Sequence, residues 1–151
     1  NTQKRAAEVH IVSTVIGNNT AVTMGGGLAC SEGEGSPTKL VMRDFTISGA
    51  TVLGNGAGMH YACTYLNTSS GTFRNNRAID GNGGAMVLSA NVACGDDANG
   101  IAFDNVAFED NYAAVGGGLV FFDHVSPTCR LPLQHDGSPN ASDSSVWRWA
   151  D

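Results

Sequence analysis

Phe73-Arg-Asn-Asn76, followed at Gly83-Gly-Ala-Met86 by a second short signature, decides how this chain is read, because both halves recur in the same order along it. The glycine half returns as Gly25-Gly-Gly-Leu28, Gly56-Ala-Gly-Met59 and Gly116-Gly-Gly-Leu119, with closing apolar residues 31, 27 and 33 positions apart. The amide half returns as Ile16-Gly-Asn-Asn19 and Phe108-Glu-Asp-Asn111, and more loosely as Ile47-Ser-Gly-Ala50. Ahead of each stands an alternating segment closed by Ser, Asp or Asn: Val9 to Ser13, Leu40 to Asp44, Leu66 to Ser70 and Ile101 to Asn105.

Alternation with period two argues strand, and the Asn, Asp, Ser and Gly positions between argue tight turns. Each unit therefore reads as strand, turn, strand, glycine-rich turn, strand. A unit of about 30 residues cannot bury its own inward face, but stacked units share one continuous core. The expectation is an all-β chain, a parallel β-solenoid of about four coils, with units at about 9–39, 40–65, 66–100 and 101–125. Residues 1–8 are read as a lead-in or preceding coil and 126–151 as a loop and C-terminal cap. The turn glycines Gly25, Gly26, Gly56, Gly83, Gly84, Gly116 and Gly117 serve positive φ or close approach, and Asn19, Asn76 and Asn111 can form an amide ladder. All four prolines, Pro37, Pro127, Pro132 and Pro139, fall outside the repeated segments, as central strands require.

Composition agrees. Of 151 residues 20 are glycine, about twice the usual share, which disfavours a helical bundle, and no strict glycine triplet period admits collagen. An apolar content of 42% is enough for a core. Net charge is −6 with no Lys/Arg cluster, so neither nucleic acid nor an anionic membrane surface is an expected partner. The longest uncharged apolar run, Val115 to Phe122, is far short of the roughly 18 residues of a spanning helix, so no membrane insertion is expected. The opening Asn1, without a leader pattern, is read as marking a processed product or, by preference, a piece of a longer protein.

The paired signatures resemble the polymorphic outer membrane protein repeats, defined by Phe-x-x-Asn together with Gly-Gly-Ala-(Ile/Leu/Val). Phe73 to Asn76 with Gly83 to Met86 matches well, Phe108 to Asn111 with Gly116 to Leu119 nearly as well, and Ile16 to Asn19 with Gly25 to Leu28 is a close variant. The second unit keeps only its glycines and an apolar anchor. The resemblance spans about residues 9–125 and implies a right-handed parallel β-helix displayed outside the cell, in adhesion or surface structure. Similar repeats occur in large secreted proteins of algae and other protists.

Cys30, Cys63, Cys94 and Cys129 follow the four glycine motifs one by one, and neighbouring coils lie about 4.8 Å apart, within reach of a disulfide. Cys30 with Cys63 and Cys94 with Cys129 is the preferred pairing, with Cys63 to Cys94 as its competitor. Asn18, Asn67 and Asn140 are N-glycosylation acceptors by sequence. Asp96-Asp97-Ala-Asn99-Gly100 reads as an inserted surface turn rather than a calcium site, and no Cys-x-x-Cys or paired His suggests zinc. His10, His60, His124 and His135 are scattered and read as solvated strand-end residues. Gly54-Asn-Gly56-Ala-Gly58 lacks the helix and Lys-Ser/Thr of a phosphate loop and reads as a corner. Trp147 and Trp149 would share one side of a strand, as an end cap or as a contact for a partner or glycan.

The expected function is a non-catalytic extracellular structural or adhesive module of a surface protein, filament or matrix, without cofactor or metal, partnered by other extracellular chains or the rest of a longer chain. The alternative is a carbohydrate-active lyase or hydrolase of the pectin-lyase-like class, and the third reading is a glycan-binding module.

Overall fold

A computed structural model describes residues 7–31, 38–63, 65–89, 101–117 and 120–123, with the short segments 134–135 and 147–148. The described chain is all-β. The first repeat supplies β1 (Ala7–Val12), β2 (Val15–Gly17), β3 (Thr20–Ala21) and β4 (Leu28–Ser31). The second supplies β5 (Thr38–Arg43), β6 (Thr46–Ser48), β7 (Thr51–Val52) and β8 (Met59–Ala62). In the third the first two strands fuse as β9 (Tyr65–Arg74), followed by β10 (Arg77–Ala78) and β11 (Met86–Ser89). The fourth gives β12 (Ile101–Glu109), β13 (Tyr112–Ala113) and β14 (Val120–Asp123), and β15 (Gln134–His135) and β16 (Trp147–Arg148) follow.

Corresponding strands pair in parallel into three sheets, ordered β1-β5-β9-β12-β16-β15, β3-β7-β10-β13 and β4-β8-β11-β14. Among the described strands only β16 runs antiparallel to its neighbours, β12 and β15. Pairing is column by column: Val9, Leu40, Leu66 and Ile101 share one register line, and Ile16, Ile47, Phe73 and Phe108 another. These are the apolar anchors of the repeats, so inward alternation and register are satisfied together, as a shared core demands.

The corners are equally regular. The twelve residues with positive φ among those described fall into three columns: Ser13, Asp44, Ser70 and Asn105; Asn18, Gly49, Asn75 and Asp110; Gly25, Gly56, Gly83 and Gly117. In the first two columns, Gly49 apart, short polar residues hold left-handed backbone, which Asn and Asp tolerate best among non-glycine residues. In the third glycine is required: at Gly56, φ is 67° and a Cβ would lie 2.6 Å from the Met59 carbonyl oxygen.

Met42, Ile47, Met59, Leu66, Phe73, Met86 and Leu88 are fully buried between the sheets. The Phe73 and Phe108 rings stack at 5.2 Å with 5° between planes, and Phe45 meets Phe73 edge-on at 5.3 Å. Such pairs add about 1 kcal/mol each beyond their burial. Phe45 fits because the next unit has Gly71 beneath it, where a Cβ would come within 2.0 Å of the ring. Buried polar groups are satisfied: Tyr61 donates its hydroxyl to the Tyr65 carbonyl, and Thr68 Oγ1 donates to the Ala102 carbonyl at 3.2 Å. A disulfide joins Cys30 to Cys63, with Cα atoms 5.9 Å apart, and staples the first two units.

Three expectations need correction. The first strand begins at Ala7, paired with Thr38, two residues ahead of the Val9 expected to open the first unit. Each unit also carries an extra two-residue strand, β3, β7, β10 or β13, whose inward residues are the small Ala21, Val52, Ala78 and Ala113. In the fourth unit the glycine motif is shifted by one: Gly116 bridges Asn82, Gly117 takes the left-handed position, and Val120 rather than Leu119 pairs with Met86. The fourth unit keeps the spacing of the first two, seven residues from the short strand to the strand after the glycines (Ala21 to Leu28, Val52 to Met59, Ala113 to Val120), and the third has one residue more, Ala78 to Met86.

Candidate functional site

Two of the three ladder amides singled out by sequence, Asn76 and Asn111, hold one unit to the next. Asn111 Oδ1 accepts from both Nδ2 (2.9 Å) and the backbone N–H (3.1 Å) of Asn76, while Asn111 Nδ2 donates to the Phe73 carbonyl at 2.9 Å. Asn76 repeats the pattern one unit up, donating to the Ile47 carbonyl at 3.0 Å and accepting from the Ala50 N–H at 3.1 Å. There the ladder stops, because the second unit has Ala50, and Asn19 beyond it is exposed rather than a rung. A second amide contact, unforeseen from sequence, joins the Asn82 N–H to Asn55 Oδ1 at 2.9 Å. The Gly54 to Gly58 stretch is thus a corner that includes a rung.

Two surfaces remain. The first is an open cleft of about 360 Å³ lined by Asn75, Asn76, Arg77, Asp110 and Tyr112. Successive units at one corner supply it: Asn75 and Asp110 share a left-handed column, and Arg77 pairs in register with Tyr112. The Arg77 guanidinium lies 5.2 Å from the centre of the half-exposed Tyr112 ring, a cation–π contact. An aromatic face ringed by an amide, a carboxylate and a guanidinium can stack on a flat apolar face and hydrogen-bond hydroxyls around it.

The second surface is the face of the first unit. Val9 is 46% exposed, whereas Leu40 and Leu66 in the same column are at 3% and 0%. Ile11, Ile16, Leu28 and Cys30 are likewise half-open where their counterparts below are buried. Among the described residues β1, β2, β3 and β4 each pair on one side only. At the opposite end β12 carries β16, with Phe108 opposite Trp147.

The other sequence candidates are dispersed. Asn18 and Asn67 are exposed, the first at a corner and the second outward on β9; Asn140 lies outside the described residues. So do Cys94, Cys129, Trp149, His124 and the Asp96 to Gly100 turn. His10 Nε2 lies 3.1 Å from Glu8 Oε1, with Lys39 Nζ 3.5 Å from the same oxygen, and His60 Nε2 lies 3.4 Å from Ser89 Oγ. Among the described residues no three His, Cys, Asp or Glu side chains gather as a metal site would need, and no helix is long and apolar enough to cross a membrane. Comparison with protein-family models, curated proteins and solved structures finds no match.

Proposed function

We propose that the chain is a non-catalytic structural or adhesive module, a right-handed parallel β-helix of four coils of the polymorphic outer membrane protein type, working outside the cell. One observation carries the reading: corresponding residues of four units stand in register, with amides, rings and a disulfide spent on joining one unit to the next. A disulfide between units fits an oxidising compartment, and exposed Asn18 and Asn67 fit a glycoprotein. Its partners on this reading are other extracellular chains or the rest of a longer chain.

The experiment is a pair of measurements on the native protein. Peptide mapping by mass spectrometry is expected to find Cys30 linked to Cys63 and glycan on Asn18, Asn67 or Asn140. Incubation with polygalacturonate and other plant and algal polysaccharides is expected to leave their chain length unchanged. Depolymerisation would overturn the reading in favour of a carbohydrate-active lyase or hydrolase. A second reading, a glycan-binding module, is favoured by the Tyr112 and Arg77 cleft; retention on an immobilised glycan that Tyr112→Ala abolishes would establish it.

A further inference from the structure

We infer that the cleft beside Arg77 and Tyr112 is a subsite for a sugar that carries a carboxylate, with the acid held by the Arg77 guanidinium and the hydroxyls by Asp110 and Asn75. The inference rests on the glycan-binding reading above and names the class of sugar. Register sets four corners: Asn75 and Arg77 come from the third unit, Asp110 and Tyr112 from the fourth, with Asn75 beside Asp110 and Arg77 beside Tyr112. The floor is Asn76, fully buried and already committed, its amide donating to the Ile47 carbonyl and to Asn111 and its own carbonyl accepting from the Tyr112 N–H at 2.9 Å. The corners are what a ligand meets. Among the described residues the Asn75 and Asp110 side chains make no hydrogen bond or ion pair, and the Arg77 guanidinium has the Tyr112 ring as its contact and no carboxylate within ion-pair distance.

The repeat is broken at this place. The apolar anchor columns keep their chemistry down the stack, but the outward column of the second sheet runs Thr20, Thr51, Arg77, Tyr112, so two hydroxyl positions give way to a cation and a ring where the cleft lies. A guanidinium presents a planar fork of donors that matches a carboxylate with two parallel hydrogen bonds. Its contact with Tyr112, 5.2 Å to the ring centre, holds that fork at the rim, so less side-chain freedom is lost on binding. Asp110 stands diagonally across the cleft from Arg77. A ligand carboxylate on Arg77 therefore lies at the corner farthest from the protein's own carboxylate, while the ligand's hydroxyls donate to Asp110. The half-exposed Tyr112 ring offers apolar surface to the C–H groups of the sugar. A neutral sugar satisfies Asp110 and Asn75 but leaves the fork to water, a simple carboxylic acid does the reverse, and a sugar acid meets both.

The test is a saturation-transfer NMR titration of the full 151-residue chain with glucuronate and galacturonate and with their neutral parents, glucose and galactose. Each acid is expected to bind about tenfold more tightly than its parent, by a margin that shrinks as salt is raised. Arg77→Thr, which restores the residue of the first two units in that column, is expected to abolish the preference for the acid. Tyr112→Thr is expected to weaken acid and neutral sugar alike, by about fivefold. Circular dichroism and the Cys30–Cys63 link check the fold of both variants. Equal binding of acid and parent sugar overturns the proposal and leaves the glycan-binding reading standing, whereas no binding of any of the four overturns both. A preference for the acid that survives Arg77→Thr in a folded protein also overturns it, by moving the carboxylate away from this corner.

Discussion

Asn76 and Asn111 share one carbonyl oxygen: Asn111 Oδ1 receives both the side-chain and the backbone N–H of Asn76, so two units of the repeat meet at a single buried atom. Removing either amide strands donors and acceptors that water cannot reach. Asn76→Ala leaves the Ala50 N–H and the Ile47 carbonyl without their partner and is expected to cost about 3 kcal/mol in urea unfolding. Asn76→Asp is expected to cost more, because it sets an acceptor against the Ile47 and Asn111 oxygens in place of a donor.

Gly71 and Phe45 form a second coupled pair. Gly71→Ala drives a methyl into the Phe45 ring and is expected to destabilise by about 1–3 kcal/mol. In a Phe45→Ala background the same change is expected to cost little further, so a double-mutant cycle on denaturation midpoints reports a large coupling energy. Additive effects would place the ring elsewhere.

Phe73 is the hub of the aromatic cluster, touching Phe45 and Phe108 at once. Phe73→Ala is expected to cost about 3–5 kcal/mol. Phe73→Leu should recover most of the burial but not the ring stacking, leaving a deficit of about 1 kcal/mol. Thermal melts followed by circular dichroism rank the three proteins.

The Cys30–Cys63 bridge closes a loop of 33 residues. Reduction, or a Cys30→Ala and Cys63→Ala double substitution, is expected to lower stability by about 2–4 kcal/mol. Hydrogen exchange is expected to lose protection first in β1 to β4, the strands of the first unit, while β9 and β12 stay protected.

Much of this arrangement is legible in the sequence, for a physical reason. Columns that are buried repeat their chemistry, so Val9, Leu40, Leu66 and Ile101, or Ile16, Ile47, Phe73 and Phe108, align by type before any coordinate is known. The Ser13, Asp44, Ser70 and Asn105 positions are legible as turns because left-handed backbone selects short polar residues. Phase is lost where one residue type is repeated: Gly116, Gly117 and Gly118 look alike, and the spacing from the short strand, Ala113 to Val120 as Ala21 to Leu28, decides among them. The two-residue strands escape notice because a pair of residues carries no periodicity. Asn19 resembles a rung in its local sequence, but its neighbour in space is Ala50, about 31 residues away along the chain, and a ladder needs its partner there.

The first two left-handed positions of every unit stand five residues apart, Ser13 to Asn18, Asp44 to Gly49, Ser70 to Asn75 and Asn105 to Asp110, whereas the paired strands around them are offset by 31, 26 and 35. One arc of the repeat is thus fixed to the residue, and nearly all the variation in length enters after the glycine corner. Such a chain accommodates insertion and deletion at one junction per turn without disturbing a single register line. Foreign peptides spliced between Ser31 and Thr38 or between Ser89 and Ile101 should therefore leave the melting temperature close to that of the parent, making those junctions natural grafting points for cargo of arbitrary sequence.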